Sequence, residues 1–126
     1  FVVNMVTEGM GEPMVATSLT VPRDINEAEA AGVSLVPSVR IDVPRVKNAP
    51  IAFECGTDRI VSVGSGPHGA NLVLGRILLM HVDQTILALD STIDSSKSRL
   101  LGRLSGTKYC DLQSVIDIVP PSEKEG

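Results

Sequence analysis

The sequence predicts a mainly β domain with short helices, its strands antiparallel and arranged as a barrel or a sandwich. Three observations carry that prediction. The opening run Phe1-Val2-Val3-Asn4-Met5-Val6 is apolar and β-branched, the composition of a buried strand. Residues 49–63 and 71–82 are two long strand-like stretches flanking a glycine-rich turn at 64–69, the pattern of a hairpin. Residues 38–43, Ser38-Val39-Arg40-Ile41-Asp42-Val43, alternate polar and apolar, which places one face in a core and one in solvent.

Taken in order, the opening strand leads into residues 7–18, where Thr7 offers a cap. Gly9, Gly11 and Pro13 make a long helix costly there, so a short helix is expected from about Pro13 onward. A second helix is expected over residues 25–31, with Asp24 as N-cap, Glu27 three residues later and Gly32 just past its end. Pro44 stops the alternating strand at 38–43 or marks it as an edge. The strand at 49–63 carries Ile51, Phe53 and Cys55 on one face, and its interruption at Gly56-Thr57-Asp58 predicts a bend or bulge. A short strand at 86–89 follows a turn at Asp83-Gln84, and residues 94–101 read as a weak helix. Residues 102–109 form a glycine-punctuated loop, residues 114–119 a last strand, and residues 120–126 a frayed polar tail.

A chain of 126 residues, 43% of them hydrophobic, suits one domain with one core. Its most apolar stretch, residues 70–82, is broken by Asn71, Gly75, Arg76 and His81 and is short of the roughly 18 residues of a membrane-spanning helix. No membrane association is expected. A net charge of −4 with scattered Lys and Arg argues against nucleic acid, whose phosphates require clustered cations. Two cysteines without a C-x-x-C pair make no disulfide framework: Cys55 reads as a small core residue and Cys110 as an exposed one. With no signal peptide in view, a reducing cytoplasm is the expected location. No turn precedes the opening strand and no Met precedes Phe1, so further residues are expected upstream.

Most motifs have a bland reading that wins. Gly64-Ser65-Gly66-Pro67-His68-Gly69 matches G-x-G-x-x-G, but that fingerprint must open a helix whose N–H groups hold a pyrophosphate. Pro67 removes one such donor and strand-like residues follow, so the nucleotide reading is rejected. His68 reads as a solvent-facing turn residue. His81 and Asp83 share a strand face, yet nothing nominates a third metal ligand, so no metal site is expected. No G-x-S-x-G nucleophile motif is present. Asp90 and Asp94 read as turn and cap residues. The loop Gly102-Arg103-Leu104-Ser105-Gly106-Thr107-Lys108-Tyr109 is more suggestive, because glycines admit a ligand and Arg103 and Lys108 can meet an anion. Tyr109, the single tyrosine, reads on its own as a corner residue bonded to backbone.

Seven pieces in order add a resemblance. They are Phe1-Val2-Val3-Asn4, the stretch ending Ala16-Thr17-Ser18, the acidic helix before Ala31-Gly32-Val33, Pro37-Ser38 with Pro44-Arg45-Val46, and Ala49-Pro50-Ile51-Ala52-Phe53-Glu54-Cys55. Leu72-Val73-Leu74-Gly75-Arg76-Ile77 running to His81-Val82-Asp83, and Gly102-Arg103-Leu104-Ser105-Gly106 with Tyr109, complete the set. In this order the chain resembles the flavin reductase-like, FMN-binding split-barrel family. Ser105 departs from that pattern by standing where the resemblance leads one to expect glycine.

The resemblance implies an antiparallel split β-barrel, incomplete at its N-terminus, with residues 1–119 as the C-terminal part of the FMN-binding domain. It implies a homodimer that binds FMN, or FAD, near the subunit interface and moves hydride between NADH or NADPH and the flavin. By match, Asn4, Thr17 and Ser18 lie toward the cofactor, Arg103, Gly106 and Tyr109 line the site, and His81 is the catalytic residue on the nicotinamide side. Two alternatives stay open: a non-catalytic flavin-binding carrier, and a cofactor-free dimeric structural domain on the same fold.

Overall fold

A computed structural model describes residues 1–120; apart from Pro120, the expected polar tail lies outside the described residues, as does the side chain of His68. The fold is mainly β with few short helices, and its sheets are not closed. Strands β1 (Val2–Asn4), β4 (Ile51–Val63) and β5 (Ala70–Val82) form one antiparallel sheet in the order β1-β4-β5. Two small antiparallel pairs accompany it: β2 (Leu35–Val36) with β3 (Arg45–Val46), and β6 (Leu101–Arg103) with β7 (Tyr109–Asp111). The helices are α1 (Gly11–Ala16), α2 (Glu27–Ala30) and α3 (Ser95–Ser98).

The β4–β5 hairpin is the spine, running from Ile51↔Val82 to Val63↔Ala70. The expected interruption at Gly56-Thr57-Asp58 is a register shift between Thr57 and Arg59, and a second shift falls between Glu54 and Cys55. Such shifts increase twist and bend the strand. Residues 64–69 form the connecting turn, with a single 3-10 turn at Gly66–His68 and a strand rather than a helix beyond it. The rejected nucleotide motif is a hairpin turn. Phe1 extends the β1–β4 ladder through its amino group to the Cys55 carbonyl at 2.9 Å and its carbonyl to the Cys55 N–H at 2.8 Å. Its ring lies over Gly75, where a Cβ would come within 2.5 Å of ring carbon Cζ.

The core is small. Ile51, Ala52, Cys55 and Ile86 are its buried apolar side chains, and Cys55 is buried as expected. Ile51 and Cys55 share one sheet face with Phe53, as the alternation predicts, and Ala52 and Glu54 point to the other. Burying a side chain such as Ile51 contributes about 1.5–3 kcal/mol, and Ile51→Ala costs about 2–5 kcal/mol. The outer half of the hairpin, with Ile60, Val61, Val63, Leu72, Val73 and Leu74, stands exposed.

Several expected elements differ, each for a local reason. Helix α1 spans Gly11–Ala16, beginning two residues before Pro13. Asn26, not Asp24, caps α2: its side chain accepts the N–H of Ala28 and Glu29. Gly32 ends α2 at φ +67°, and the N–H of Val33 reaches back to the Ala28 carbonyl at 2.7 Å. Residues 38–43 are a bend, not a strand. Ser38 Oγ donates to the Val43 carbonyl, and the Val39 and Arg40 N–H groups turn to a carboxylate, so the donors a ladder needs are taken. Residues 86–89 are not a strand either: Asp83 accepts the Thr85 N–H and winds a 3-10 turn at Gln84–Ile86. The expected loop at 102–109 is the β6–β7 hairpin, and the expected last strand at 114–119 has no regular structure. No helix among the described residues is long and apolar enough to cross a membrane.

Candidate functional site

The polar chemistry of the fold concentrates on one face of the central sheet. Asn4, Ala52 and His81 sit side by side across β1, β4 and β5, and Glu54 is two residues beyond Ala52 on that face. Segment 33–49, which carries β2 and β3, is tied to this face by side chains. Asn4 Oδ1 accepts the Val46 N–H at 3.0 Å. Glu54 Oε1 accepts the Val39 N–H at 2.8 Å and Oε2 the Arg40 N–H at 2.6 Å.

Glu54 is completely buried, and its Oε1 lies 2.5 Å from His81 Nε2. Burial by itself raises a carboxyl group. The hydrogen bond to His81, the two backbone N–H donors and the charge of the His81 ring outweigh it and hold Glu54 at about 2, against 4.5 ordinarily. Glu54 is therefore an anion at neutral pH and accepts only, so His81 Nε2 carries the proton between them. The His81 side chain is 22% exposed, and its Nδ1 has no partner among the described residues.

A pocket of about 270 Å³ opens beside this face, bordered by Asn4, Pro13, Thr17, Ser34, Val46 and Asn48 among others. Asn4 spends its oxygen on Val46, which leaves its amide N–H₂ without a partner among the described residues. Thr17 Oγ1 donates to the Met14 carbonyl at 2.7 Å, leaving its lone pairs free to accept. Ser18 donates to the Val15 carbonyl at 2.7 Å, is exposed and does not border the pocket.

Arg103, Gly106 and Tyr109 gather in the β6–β7 hairpin. Arg103 pairs directly with Tyr109, and Gly106 makes the turn at φ +57°. The Arg103 Nη2 contact to the Gly106 carbonyl is long, 3.5 Å, and exposed. Among the described residues no hydrogen bond to the Tyr109 hydroxyl exists, so the corner-tyrosine reading fails. Cys110 is half-buried, with its Sγ 3.5 Å from the Gly102 carbonyl, where exposure was expected. Tyr109 borders a second pocket of about 610 Å³ with Glu8, Glu12, Leu101 and Asp111. Arg99 Nη2 reaches Asp111 Oδ2 at 2.6 Å, holding that carboxyl below its usual range.

Helix α1 stands between the two pockets, with Pro13, Met14 and Thr17 on one and Glu12, Val15 and Ala16 on the other. The structure thus brings Asn4 and Thr17 together, and separately Arg103, Gly106 and Tyr109, and it pairs His81 with Glu54. It does not unite the three groups within one pocket. Two residues escaped the sequence reading. Glu54 left a signal, a carboxylate inside the apolar run 51–55, which must find partners when buried. Arg45 left none: its Nε is buried without a partner, and its guanidinium makes no ion pair among the described residues. Among those residues no group of three or more His, Cys, Asp or Glu is placed to hold a metal ion.

An antiparallel, mainly β fold with a polar row across its central sheet defines the class, and comparison with known proteins supplies the family. The chain belongs to the flavin reductase like domain family, whose pattern matches residues 1–92. The fold is that of the flavin reductase split barrels. The structure of 2-nitrobenzoate 2-nitroreductase from Pseudomonas fluorescens is similar, with a TM-score of 0.83 and 34% identity over 97% of this chain and 59% of that one. Nitrilotriacetate monooxygenase component B from Bacillus cereus is also similar, with a TM-score of 0.84 and 26% identity, over 93% of this chain and 58% of that one. An uncharacterised protein of Aquifex aeolicus is 37% identical over 109 residues, 86% of this chain and 54% of its own length. The chain spans about half the length of the curated relatives it matches.

Proposed function

We propose that the complete protein is an FMN-dependent oxidoreductase that moves hydride between NADH or NADPH and the flavin. The observation that carries this reading is the pocket between Asn4 and Thr17, which lies wholly within the family-matched residues 1–92. Neighbours whose names describe a nitroreductase and a monooxygenase component support redox chemistry as the class.

The residues fit a flavin nucleotide in part. The Asn4 amide offers a donor and Thr17 an acceptor, suited to the polar edge of a ring. Arg45, whose Nε is buried without a partner, neighbours the lining residue Val46 on β3 without bordering the pocket, and in this reading it is a cation for the flavin phosphate beyond the pocket's edge. A volume of about 270 Å³ lies just below the roughly 300 Å³ at which ligand pockets usually begin. These residues therefore supply one wall, and in this reading a second copy of the chain or further polypeptide supplies the other. Arg103, Gly106 and Tyr109 belong to that other wall in a homodimer.

When bound, FMN accepts the hydride, with its electron pair, that oxidation of the nicotinamide releases. The chain's part is to orient the two rings, with His81 on the nicotinamide side. The His81 ring lies on the same sheet face as Asn4, two strand spacings or roughly 10 Å away. The exposed apolar strands of the outer hairpin favour a covered location within a homodimer, and this reading keeps the expected cytoplasmic location.

The test is retention of flavin. After mixing with FMN and removal of the excess, the complete protein should keep the visible absorbance bands of flavin, in proportion to its chains. A colourless protein would remove the cofactor from this account and favour the structural-domain alternative.

A further inference from the structure

The Glu54–His81 pair has a geometry that neither the family pattern nor the names of the neighbours assigns. Glu54 is wholly buried on a strand whose neighbours are apolar, and all of its contacts are donors: two backbone N–H groups from one bend and one ring nitrogen. A carboxylate satisfied in this way is fixed on three sides and fixes its partners in turn.

We propose that Glu54 is the positioning residue of His81. It selects the tautomer with the proton on Nε2, and so makes Nδ1 the nitrogen that His81 offers to a bound nicotinamide or flavin nucleotide. The inference rests on the proposed role of His81 at the site. The physical reason is the acceptor-only character of an ionised carboxylate: in the other neutral tautomer two lone pairs would face each other at 2.5 Å. Because the same carboxylate holds Val39 and Arg40, the ring and the bend at 38–43 are fastened at one point. Any movement of the ring that draws Glu54 with it loosens that bend. The bend, which carries Val39 in a 71% exposed position, has little packing of its own to hold it.

The test reads the ring directly. The chain has two histidines, so His68→Gln assigns the ring ¹⁵N signals of His81 in the full chain. In its neutral ring the wild-type protein should show Nε2 protonated and Nδ1 not. In Glu54→Gln the tautomers should mix, and the Val39 and Arg40 amides should exchange with solvent at least tenfold faster. Turnover of NADH by the flavin-loaded variant should fall by roughly tenfold or more with KM little changed. Wild-type His81 protonated on Nδ1 would overturn the proposal even if the variant failed to fold, and so would unchanged ring signals in a folded Glu54→Gln. The expected tautomer in a protein with no nicotinamide oxidation would instead uphold the positioning and overturn the functional reading beneath it.

Discussion

Glu54 and His81 meet at 2.5 Å across the β4–β5 pair, the one completely buried and the other partly open to solvent. The relationship joins a structural fastening to a chemically useful ring. It also explains how a strand with a carboxylate in its apolar centre folds without leaving that charge unsatisfied.

Its first consequence is a pH dependence. The folded-state value of Glu54, about 2, lies below the ordinary 4.5. A group depressed by folding contributes stability that is complete above its unfolded value and is lost as pH falls toward its folded value. We predict that the stability difference between wild type and Glu54→Gln shrinks as pH falls from about 4.5 to about 2. Urea unfolding of both proteins across that range measures it, and a difference independent of pH would contradict it.

Asn4 is both a fastening and a pocket residue. Asn4→Ala frees the Val46 N–H and should lower unfolding free energy by about 1–3 kcal/mol, the penalty of a partly buried donor left unpaired. Thr17→Val should cost less, because the Met14 carbonyl it leaves is within a helical turn. Denaturant titrations that ranked the two in the opposite order would argue against the Asn4–Val46 bond as the link between β1 and β3.

For the β6–β7 hairpin, flavin affinity and stability should separate. Arg103 is exposed with one long contact, and the Tyr109 hydroxyl has no partner among the described residues. Arg103→Ala and Tyr109→Phe should therefore weaken flavin binding in the complete protein more than they lower its melting temperature. Equal flavin affinity in both variants would remove the hairpin from the site.

Arg45 supplies a sharper ligand test. If its guanidinium meets the flavin phosphate, Arg45→Met should weaken FMN binding by about tenfold or more, the equivalent of one charge-assisted hydrogen bond. Riboflavin, which lacks the phosphate, should bind wild type and variant alike. A parallel loss for both ligands would place Arg45 in a structural role.

Legibility in the sequence followed the range of the interactions. The β4–β5 hairpin, its bulge at 56–58 and the Gly32 helix end were legible because alternation and glycine act locally. The bend at 38–43 was misread because its alternation is real, but its N–H donors go to Glu54, 14 and 15 residues away in sequence. The β6–β7 hairpin was hidden by its brevity, three residues a side. At the site, Asn4 with Thr17 was legible as a pair only through the family resemblance. The Glu54–His81 contact joins residues 27 apart as a diagonal pair across β4 and β5, and it depends on the register of the whole hairpin, which no local pattern specifies. Arg45 has nothing in its flanking residues to announce an unpartnered buried nitrogen.

Hydride transfer is read directly by anaerobic mixing of the FMN-loaded complete protein with NADH or NADPH, following flavin absorbance in wild type and His81→Ala. We predict that the flavin bands bleach in wild type as the nicotinamide is oxidised. The rate should fall by about a hundredfold in the variant, the scale of a lost orienting contact at the reacting ring, with FMN still bound. Flavin that stays oxidised in the wild-type protein with either nucleotide would contradict hydride transfer and leave a flavin carrier in its place.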